Sequence, residues 1–176
     1  MATLGELARE HTGLDGPALG HLQRLMGTWG MLADLCYADL LLFVPVLNDG
    51  EAGRRFVVLG QIRPTTNQTL HADDLVGWVI DESQRPLVVR SWDLGQIVDG
   101  EVAAVDRGEP SRIQCIPVRF RGELVAVLTR ESALTVGRRT GELERVYTEA
   151  FERLAGMIVR GAFPFAIDET AGGDAP

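Results

Sequence analysis

The sequence is poor in cysteine, in basic residues and in long apolar runs, and each scarcity excludes a class of protein. Its 176 residues include two cysteines, Cys36 and Cys115, without C-x-x-C spacing, so neither a disulfide framework nor a thiolate zinc site is expected. No apolar run is long enough to span a bilayer, and the N-terminus lacks the features of a signal peptide. The net charge of −8 disfavours binding to nucleic acid. We therefore expect a cytoplasmic protein that binds neither membrane nor DNA directly.

Histidine and nucleotide-binding motifs are also scarce. The three histidines, His11, His21 and His71, do not lie in a phosphoacceptor-type helix followed by an Asn-rich box, and there is no glycine-rich ATP lid. We expect His21, on a helix face, to face solvent or an interface. Both cysteines lie in apolar patterns, which favours inert core packing over a redox or metal-sensing role. No catalytic residue, metal site or cofactor is predicted for this chain.

The most regular feature that the sequence does contain is a β-hairpin between residues 112 and 130. Its first strand alternates apolar and polar residues, which is typical of a sheet with one solvent-facing side. Arg121 and Gly122 occupy the position of a two-residue turn. The return segment, residues 124–128, is continuously apolar and therefore predicts a central strand covered on both faces. Pro117 predicts a bulge or an unpaired position.

Helices are predicted at both ends of the chain. A T-x-x-E capping box at Thr3 begins a short first helix. A second helix is predicted over residues 15–36, because apolar residues recur there at spacings of three and four, at Leu22, Leu25, Trp29, Leu32 and Cys36. A last helix is predicted over residues 141–160, capped by Thr140 and ended by Gly161. Its apolar stripe consists of Leu143, Val146, Ala150, Leu154 and Met157.

The middle of the chain predicts a second hairpin followed by less regular structure. Strands are expected at residues 40–44 and 55–62, joined by a turn at residues 48–50. Residues 63–85 form an irregular segment. The remaining predictions, in chain order, are a brief helix at 73–79, a strand at 86–91 and a long surface loop at 92–110. The pattern therefore predicts an α+β fold of the GAF/PAS kind, with an antiparallel sheet built from two hairpins and flanked by N- and C-terminal helices.

Six stretches of the sequence carry a family resemblance. They are T-L-G-E-L from residue 3, W-G-M-L-A-D-L-C-Y-A-D-L-L-L from residue 29, Q-I-R-P-T-T from residue 61, P-V-R-F-R-G-E-L-V-A-V-L-T-R-E from residue 117, G-E-L-E-R-V-Y from residue 141 and G-A-F-P from residue 161. In this order they resemble the GAF-like N-terminal sensor domain of the PdtaS-type actinobacterial cytosolic sensor histidine kinases. The resemblance covers residues 3–164.

The resemblance implies a domain organisation and a function. Residues 1–164 would form the GAF-like sensor domain, and residues 165–176 a linker toward a downstream PAS and kinase region. The chain itself would be a non-catalytic sensory domain of a two-component phosphorelay. ATP and Mg²⁺ would bind only in the kinase region, which would act on a cognate response regulator. Kinases of this kind act as dimers, so we expect a homodimer in which the apolar stripes of the terminal helices pair.

The irregular segment supplies the candidate ligand-binding residues. In a GAF-like fold the pocket usually lies between the sheet and this segment, which here offers Arg63, Thr65, Thr66, Asn67, Gln68 and Trp78. An arginine beside hydroxyls and amides can bind a phosphate or a carboxylate, and a tryptophan can stack on a base. The resemblance makes a cyclic dinucleotide a candidate ligand. Alternatively, the polar residues only close a loop and Trp78 belongs to the core.

Two alternative functions fit the same sequence. The chain could be a stand-alone GAF domain that binds a small molecule, or a small enzyme of unknown reaction in which Asp73 or Asp74 serves as the acid. The sequence shows no pairing of a nucleophile with a base and no cluster of metal ligands. That absence favours the sensory domain over the enzyme.

Overall fold

A six-stranded antiparallel sheet forms the centre of the computed structural model, which describes residues 3–47, 54–65, 69–103, 110–134 and 141–165. The strands are β1 Asp39–Pro45, β2 Arg55–Ile62, β3 Val79–Asp81, β4 Val98–Ala103, β5 Pro110–Phe120 and β6 Glu123–Ala133. They lie in the order β3-β2-β1-β6-β5-β4. The helices within the described ranges are α1 Leu4–His11, α2 Gly16–Gly27, α3 Trp29–Cys36, α4 Pro86–Leu94 and α5 Glu142–Val159. The predicted α+β fold is confirmed, with β3 and β4 as additional edge strands.

Both predicted hairpins are present. In the β5–β6 hairpin, Arg121 and Gly122 form the two-residue turn with φ values of 51° and 86°, and a type I′ turn requires positive φ at both positions. The hairpin does contain an irregularity, but not at Pro117, which lies in register opposite Val127. The extra residue is Val125 of β6, between the partners of Val118 and Arg119. β1 and β2 form the other hairpin. Its predicted turn, residues 48–50, lies outside the described residues.

The sheet is covered on both faces. α2, α3 and α5 pack on one face, which we call the helix face. α4 and the irregular segment pack on the other, which we call the cavity face. Gln114, expected on a solvent-facing side, is only 7% exposed and donates a hydrogen bond to α5. That expectation is wrong because the alternation in β5 separates two buried faces, with Ile116 on the helix face and Ile113 and Cys115 on the cavity face.

The predicted second helix is in fact two helices. The chain turns at Thr28, whose hydroxyl donates to the carbonyl oxygen of Leu25 at 2.7 Å, and α3 begins at the next residue. The apolar stripe continues through the break, and its members are at most 3% exposed, namely Leu22, Leu25, Trp29, Leu32 and Cys36. Because these side chains fill the core of the helix face, they are not available to pair across a dimer, contrary to the prediction.

The segment before β4 differs most from its prediction. Residues 86–91, expected as a strand, belong to α4, in which Pro86 occupies the first turn and Gly95 ends the helix with a φ of 60°. Proline favours that position since its missing N–H needs no partner there. The brief helix predicted at 73–79 is not formed. The predicted long loop contains β4, while residues 104–109 lie outside the described residues.

α5 ends as predicted but packs through a different face. Gly161 has a φ of 70°, and its N–H donates to the carbonyl oxygen of Ile158 at 3.0 Å. Gly141 holds the N-cap position, and the predicted cap, Thr140, lies outside the described residues. The buried residues of the helix are not the predicted stripe but Phe151, Ala155 and Ile158.

The side chains of His21, Cys36 and Cys115 are all buried. His21 was expected to face solvent or an interface, but it is 2% exposed and its ring packs on that of Phe120, 5.0 Å between centroids. Burial, followed by the charge of Arg24, lowers the pKa of His21. Cys36 and Cys115 are free and buried, as predicted. Burial raises the pKa of Cys36 to about 11 and that of Cys115 as well, so both thiols stay protonated and inert.

Candidate functional site

Two buried carboxylates lie side by side where β1 begins and β6 ends. Asp39 of β1 is the cross-strand partner of Glu131 of β6, and the two residues are 1% and 2% exposed. A buried charge is costly unless it is paired and hydrogen-bonded. Both carboxylates therefore depend on partners from the segments that cover this end of the cavity face.

Asp39 fixes the backbone of the irregular segment. Its Oδ2 accepts hydrogen bonds from the hydroxyl of Thr69 at 2.8 Å, from the N–H of Leu70 at 2.7 Å and from the N–H of His71 at 3.0 Å. Three donors on one carboxylate oxygen hold this stretch against the sheet. The contact also sets where the ring of His71 enters the core.

Glu131 is the acceptor of a buried ion triad that it forms with His71 and Arg85. The Nε2–H of His71 donates to Oε2 at 2.7 Å. Nη1 of Arg85 donates to Oε1 at 2.9 Å and to Oε2 at 3.1 Å. The hydroxyl of Thr129 adds a bond to Oε1 at 2.8 Å. The ion triad thus ties β6 to the irregular segment and to the residue that precedes α4.

The electrostatics favour the charged forms within the ion triad. Burial raises the pKa of Glu131, but the hydrogen bond from His71 and the charge of Arg85 outweigh burial, so the pKa lies below its ordinary value. Burial lowers the pKa of His71, and the hydrogen bond and charge of Glu131 outweigh it, so that pKa is raised. Removing one member of such a group leaves an uncompensated buried charge, which costs about 3–5 kcal/mol. The ion triad is therefore stable only as a unit.

A small cavity lies beside Arg85. Its volume is about 120 Å³, and its walls are Phe43, Val58, Leu75, Trp78, Ile80, Gln84 and Arg85. The guanidinium of Arg85 lies 5.8 Å from the centroid of the Phe43 ring. Trp78 is 52% exposed, so it lies where the cavity meets solvent and does not belong to the core. Apolar walls with a buried cation have the character of a small-ligand site.

The structure separates the six residues predicted to bind a ligand. Trp78 lines the cavity. Thr65 donates its N–H and its hydroxyl to Oδ1 of Asp34 at 3.0 and 2.8 Å. Arg63 donates, at 2.8 to 3.2 Å, to the carbonyl oxygens of His71, Ala72 and Asp73. Outside the described residues lie Thr66, Asn67 and Gln68. Arg63 and Thr65 thus fix the segment that covers the cavity, and ligand binding by any of the six stays a prediction.

The ion triad itself was not predicted from the sequence. One signal was available, because Thr129 and Glu131 place polar side chains at two successive inward positions directly after the apolar run of β6. The partners carry no such signal. His71 and Arg85 lie 60 and 46 residues from Glu131 in the sequence, and only the folded sheet brings them together.

β6 also contacts α5 on the opposite face of the sheet. Arg130, the residue before Glu131, donates to Oε1 of Glu152 in α5 at 3.4 Å and to the carbonyl oxygen of Cys36 at 3.4 Å. Gln114 of β5 donates to the same Glu152 carboxylate at 3.1 Å. Of two consecutive residues of β6, therefore, Arg130 contacts α5 and Glu131 belongs to the ion triad.

The other features of the described residues offer no competing site. A larger cavity of about 490 Å³ lies at the opposite end of the sheet, but the charged residues of its wall, Asp15, Arg121 and Glu123, are all exposed. Within the described ranges, no group of His, Cys, Asp or Glu is placed to hold a metal ion. None of the helices described there is both long and apolar enough to cross a membrane. We assign the candidate site to the cavity beside the ion triad.

Two proteins of known family resemble this chain over nearly its whole length. The sensor histidine kinase PdtaS of Mycolicibacterium smegmatis is 38% identical over 170 residues, which cover 93% of this chain and 32% of that protein. The sensor histidine kinase PdtaS of Mycobacterium tuberculosis is 38% identical over 174 residues, covering 96% of this chain and 33% of that protein. The chain thus spans about a third of the length of these curated relatives.

A solved structure and a family model agree with these relatives. The structure, described as the sensor region of a sensor histidine kinase, has a TM-score of 0.76 and 36% identity, and the match covers 96% of this chain and 57% of that chain. The family model, described as the GAF domain of histidine kinase PdtaS, matches residues 4–151. The predicted resemblance and the GAF-like fold are confirmed. This chain belongs to the family of GAF domains found in PdtaS histidine kinases and is a sensory domain of that kind.

Proposed function

We propose that this chain senses a small cytoplasmic ligand and regulates a two-component histidine kinase without catalysing a reaction itself. The ligand enters the cavity beside the ion triad. The signal leaves through α5 and a linker at residues 165–176 toward PAS and kinase domains of the same polypeptide. The kinase region binds ATP and Mg²⁺ and phosphorylates a response regulator.

One observation carries this proposal, namely that Arg130 and Glu131 contact structures on opposite sides of the sheet. Successive side chains of a strand point to opposite faces. Glu131 belongs to the ion triad, and Arg130 donates to Glu152 of α5. A ligand that moves Arg85 changes the hydrogen bonds of Glu131 and with them the end of β6. The contact to α5 is one residue away, so the strand couples the cavity to the helix.

The volume of the cavity restricts the ligand. A cavity of roughly 150 Å³ is large enough for a benzene molecule. The cavity beside Arg85 has about 120 Å³, whereas drug-sized ligands occupy about 300–1,000 Å³. A cyclic dinucleotide, the candidate from the sequence, therefore requires the irregular segment to open, whereas the closed cavity approaches the size of one that holds a benzene molecule.

A chimeric kinase tests the sensory function. In the M. smegmatis PdtaS protein, this chain replaces the matching region of 170 residues. We expect the chimera to label itself with radiolabelled ATP and the isolated chain to show no labelling. Self-labelling by the isolated chain, or an inactive chimera that is folded, would contradict the proposal.

Variants of the coupling contact give the chimera a second readout. Arg130→Gln removes the contact to Glu152 and leaves the ion triad in place. We expect it to abolish the response of self-labelling to a cavity ligand. Arg153→Gln, which removes an exposed charge of α5, is the control and should keep the response. An equal response in both variants would remove β6 as the coupling element.

We also propose that the domain forms a homodimer through α5 rather than through both terminal helices. The apolar stripe predicted on this helix lies beside its core face, and Leu143 and Val146 are 60% and 55% exposed. Met31 of the neighbouring α3 is 51% exposed. Large exposed apolar side chains on adjacent helices favour an interaction surface. Within α5, Leu143, Val146 and Ala150 recur at intervals of three and four residues, which is the spacing with which helices pair in a coiled coil.

The enzyme alternative gains no support from its candidate acids. Asp73 and Asp74 are exposed. Oδ1 of Asp74 accepts the N–H of Val76 at 3.0 Å, which closes a turn. The carbonyl oxygen of Asp73 accepts hydrogen bonds from Arg63 and Gln61. Both residues shape the segment that covers the cavity, which favours a structural role for them.

A further inference from the structure

Arg85 is a buried cation that donates side-chain hydrogen bonds through only one nitrogen of its guanidinium. The residue is 8% exposed and lines the cavity. Glu131 accepts from Nη1 alone, with both of its oxygens. Among the residues that the structure describes, none accepts a hydrogen bond from Nε or Nη2 of Arg85. Neither nitrogen belongs to the fully buried polar atoms without a partner, so solvent reaches this edge of the guanidinium and an acceptor from outside the chain can bind there.

The shape of that edge selects the acceptor. Nε and Nη2 present two parallel N–H groups whose spacing matches the two oxygens of a carboxylate. Arg85 also lines a second cavity of about 40 Å³ on the side of α4, so two cavities adjoin this residue. A planar, two-oxygen anion can therefore approach the edge without displacing Glu131 from Nη1.

The charges already present select a singly charged anion. Arg85 and the protonated His71 are already balanced by two carboxylates, those of Glu131 and of Asp39 on the neighbouring strand. A dianion such as a phosphate monoester would bring more negative charge toward these two groups, and like charges at short range oppose ionisation of each other. A monocarboxylate adds the smallest such repulsion that still engages both N–H groups.

The walls select the rest of the ligand. The ring of Phe43 and the exposed Trp78 offer aromatic surfaces, and the volume of about 120 Å³ approaches that of a cavity that holds a single ring. Resting on the proposed sensory function, we infer that the cavity binds a small aromatic or apolar monocarboxylate through the Nε–Nη2 edge of Arg85. Glu131 stays paired with Nη1 in the complex, and the shift of the shared guanidinium toward the ligand changes the lengths of its two hydrogen bonds to Glu131.

Calorimetric titration of the full chain with benzoate tests the inference, with benzamide as the neutral molecule of the same shape. A hydrogen-bonded charge pair contributes enough to make benzoate bind at least about tenfold more tightly than benzamide. Equal affinities for the two compounds, or no binding of benzoate at millimolar concentration to the folded chain, would overturn it.

Variants of Arg85 locate the contact. Arg85→Gln should lower the affinity for benzoate at least about tenfold. Because this change leaves Glu131 buried without its cation, the double variant Arg85→Gln/Glu131→Gln removes both charges and guards against loss of the fold. Arg90→Gln, which removes an exposed charge of α4, is the control and should bind benzoate like the parent chain. Unchanged affinity in a folded Arg85 variant would overturn the inference.

The outcomes separate this inference from the sensory function. In one case, benzoate binds through Arg85 but does not alter self-labelling of the chimera. That result would support the inferred ligand site and contradict the proposal that the domain senses through it. In the other case, benzoate and benzamide bind equally, but regulation of the chimera still depends on Arg130. That result would support the sensory function and overturn the inference that the ligand is a carboxylate.

Discussion

The two faces of the sheet are stabilised by different interactions. On the helix face, apolar residues from α2, α3 and α5 form one large buried cluster, in which Leu22, Leu25 and Leu32 are fully buried. On the cavity face, a smaller apolar cluster lies beside two buried carboxylates, a histidine and an arginine. An apolar core tolerates substitutions that conserve its volume, whereas a buried ion triad depends on all of its members.

The difference indicates where the domain can respond to a ligand. Small changes on the helix face alter stability but leave no charge uncompensated. On the cavity face, a ligand or a proton changes the balance of the ion triad directly, and Arg85 is both a member of the triad and a wall of the cavity. The proposed ligand site therefore lies on the cavity face, whereas the helix face forms the larger apolar core.

The largest effect is expected where the ion triad is broken. Glu131→Leu leaves Arg85 and His71 buried without their acceptor, so we expect the free energy of unfolding to fall by about 4 kcal/mol. Urea denaturation measures it. The double variant Glu131→Leu/Arg85→Met should recover most of the loss, since no unpaired cation remains on that side. Glu149→Leu, at an exposed site of α5, should change stability by less than about 0.5 kcal/mol. A loss below about 1 kcal/mol in Glu131→Leu would contradict the importance of the ion triad.

On the helix face, a core truncation should cost somewhat less. Leu32 is fully buried, so Leu32→Ala removes apolar contacts and leaves a cavity, which costs about 3 kcal/mol. Leu94→Ala makes the same change at a residue of α4 that is 53% exposed, and its loss should stay below about 1 kcal/mol. Equal losses in the two variants would show that burial on the helix face does not determine stability.

The same contrast explains which parts of the structure were predictable. The β5–β6 hairpin, its Arg121–Gly122 turn and the Gly161 cap follow from local chemistry, and the sequence predicted all three. Residues 86–91 form a helix and not the predicted strand, because the preference of Pro86 for the first turn of a helix prevails over the β-branched side chains that follow it. The ion triad could not be predicted, because its members come from three segments that only the sheet brings together.

Measuring stability across a pH series tests the contribution of the ion triad on the cavity face, and the expected change in stability is smaller than in the variants above. The pKa of His71 is raised in the folded chain, so its contribution is complete below the ordinary value of 6.5 and is lost as pH rises through the folded pKa. The pKa of Glu131 is lowered, so its contribution is present above 4.5 and is lost as pH falls through the folded pKa. Urea midpoints should decline above pH 6.5 in the parent chain and in the His11→Gln control. In His71→Gln this decline should disappear, and a decline of the same size there would assign it to other groups.

The smallest effect on stability is expected on the outer side of α5, where the change should instead alter assembly. Val146 is 55% exposed, so Val146→Glu removes little buried apolar area and should change the unfolding free energy of the monomer by less than about 0.5 kcal/mol. In the proposed dimer the same side chain faces its copy, and two carboxylates would replace an apolar contact. Light scattering at micromolar concentration should therefore report a dimer for the parent chain and a monomer for the variant. Arg145→Glu places a carboxylate on the exposed side of α5 away from the stripe and should remain dimeric. A parent chain that stays monomeric on concentration would remove the α5 dimer and leave the proposed downstream domains as the partner of the apolar stripe.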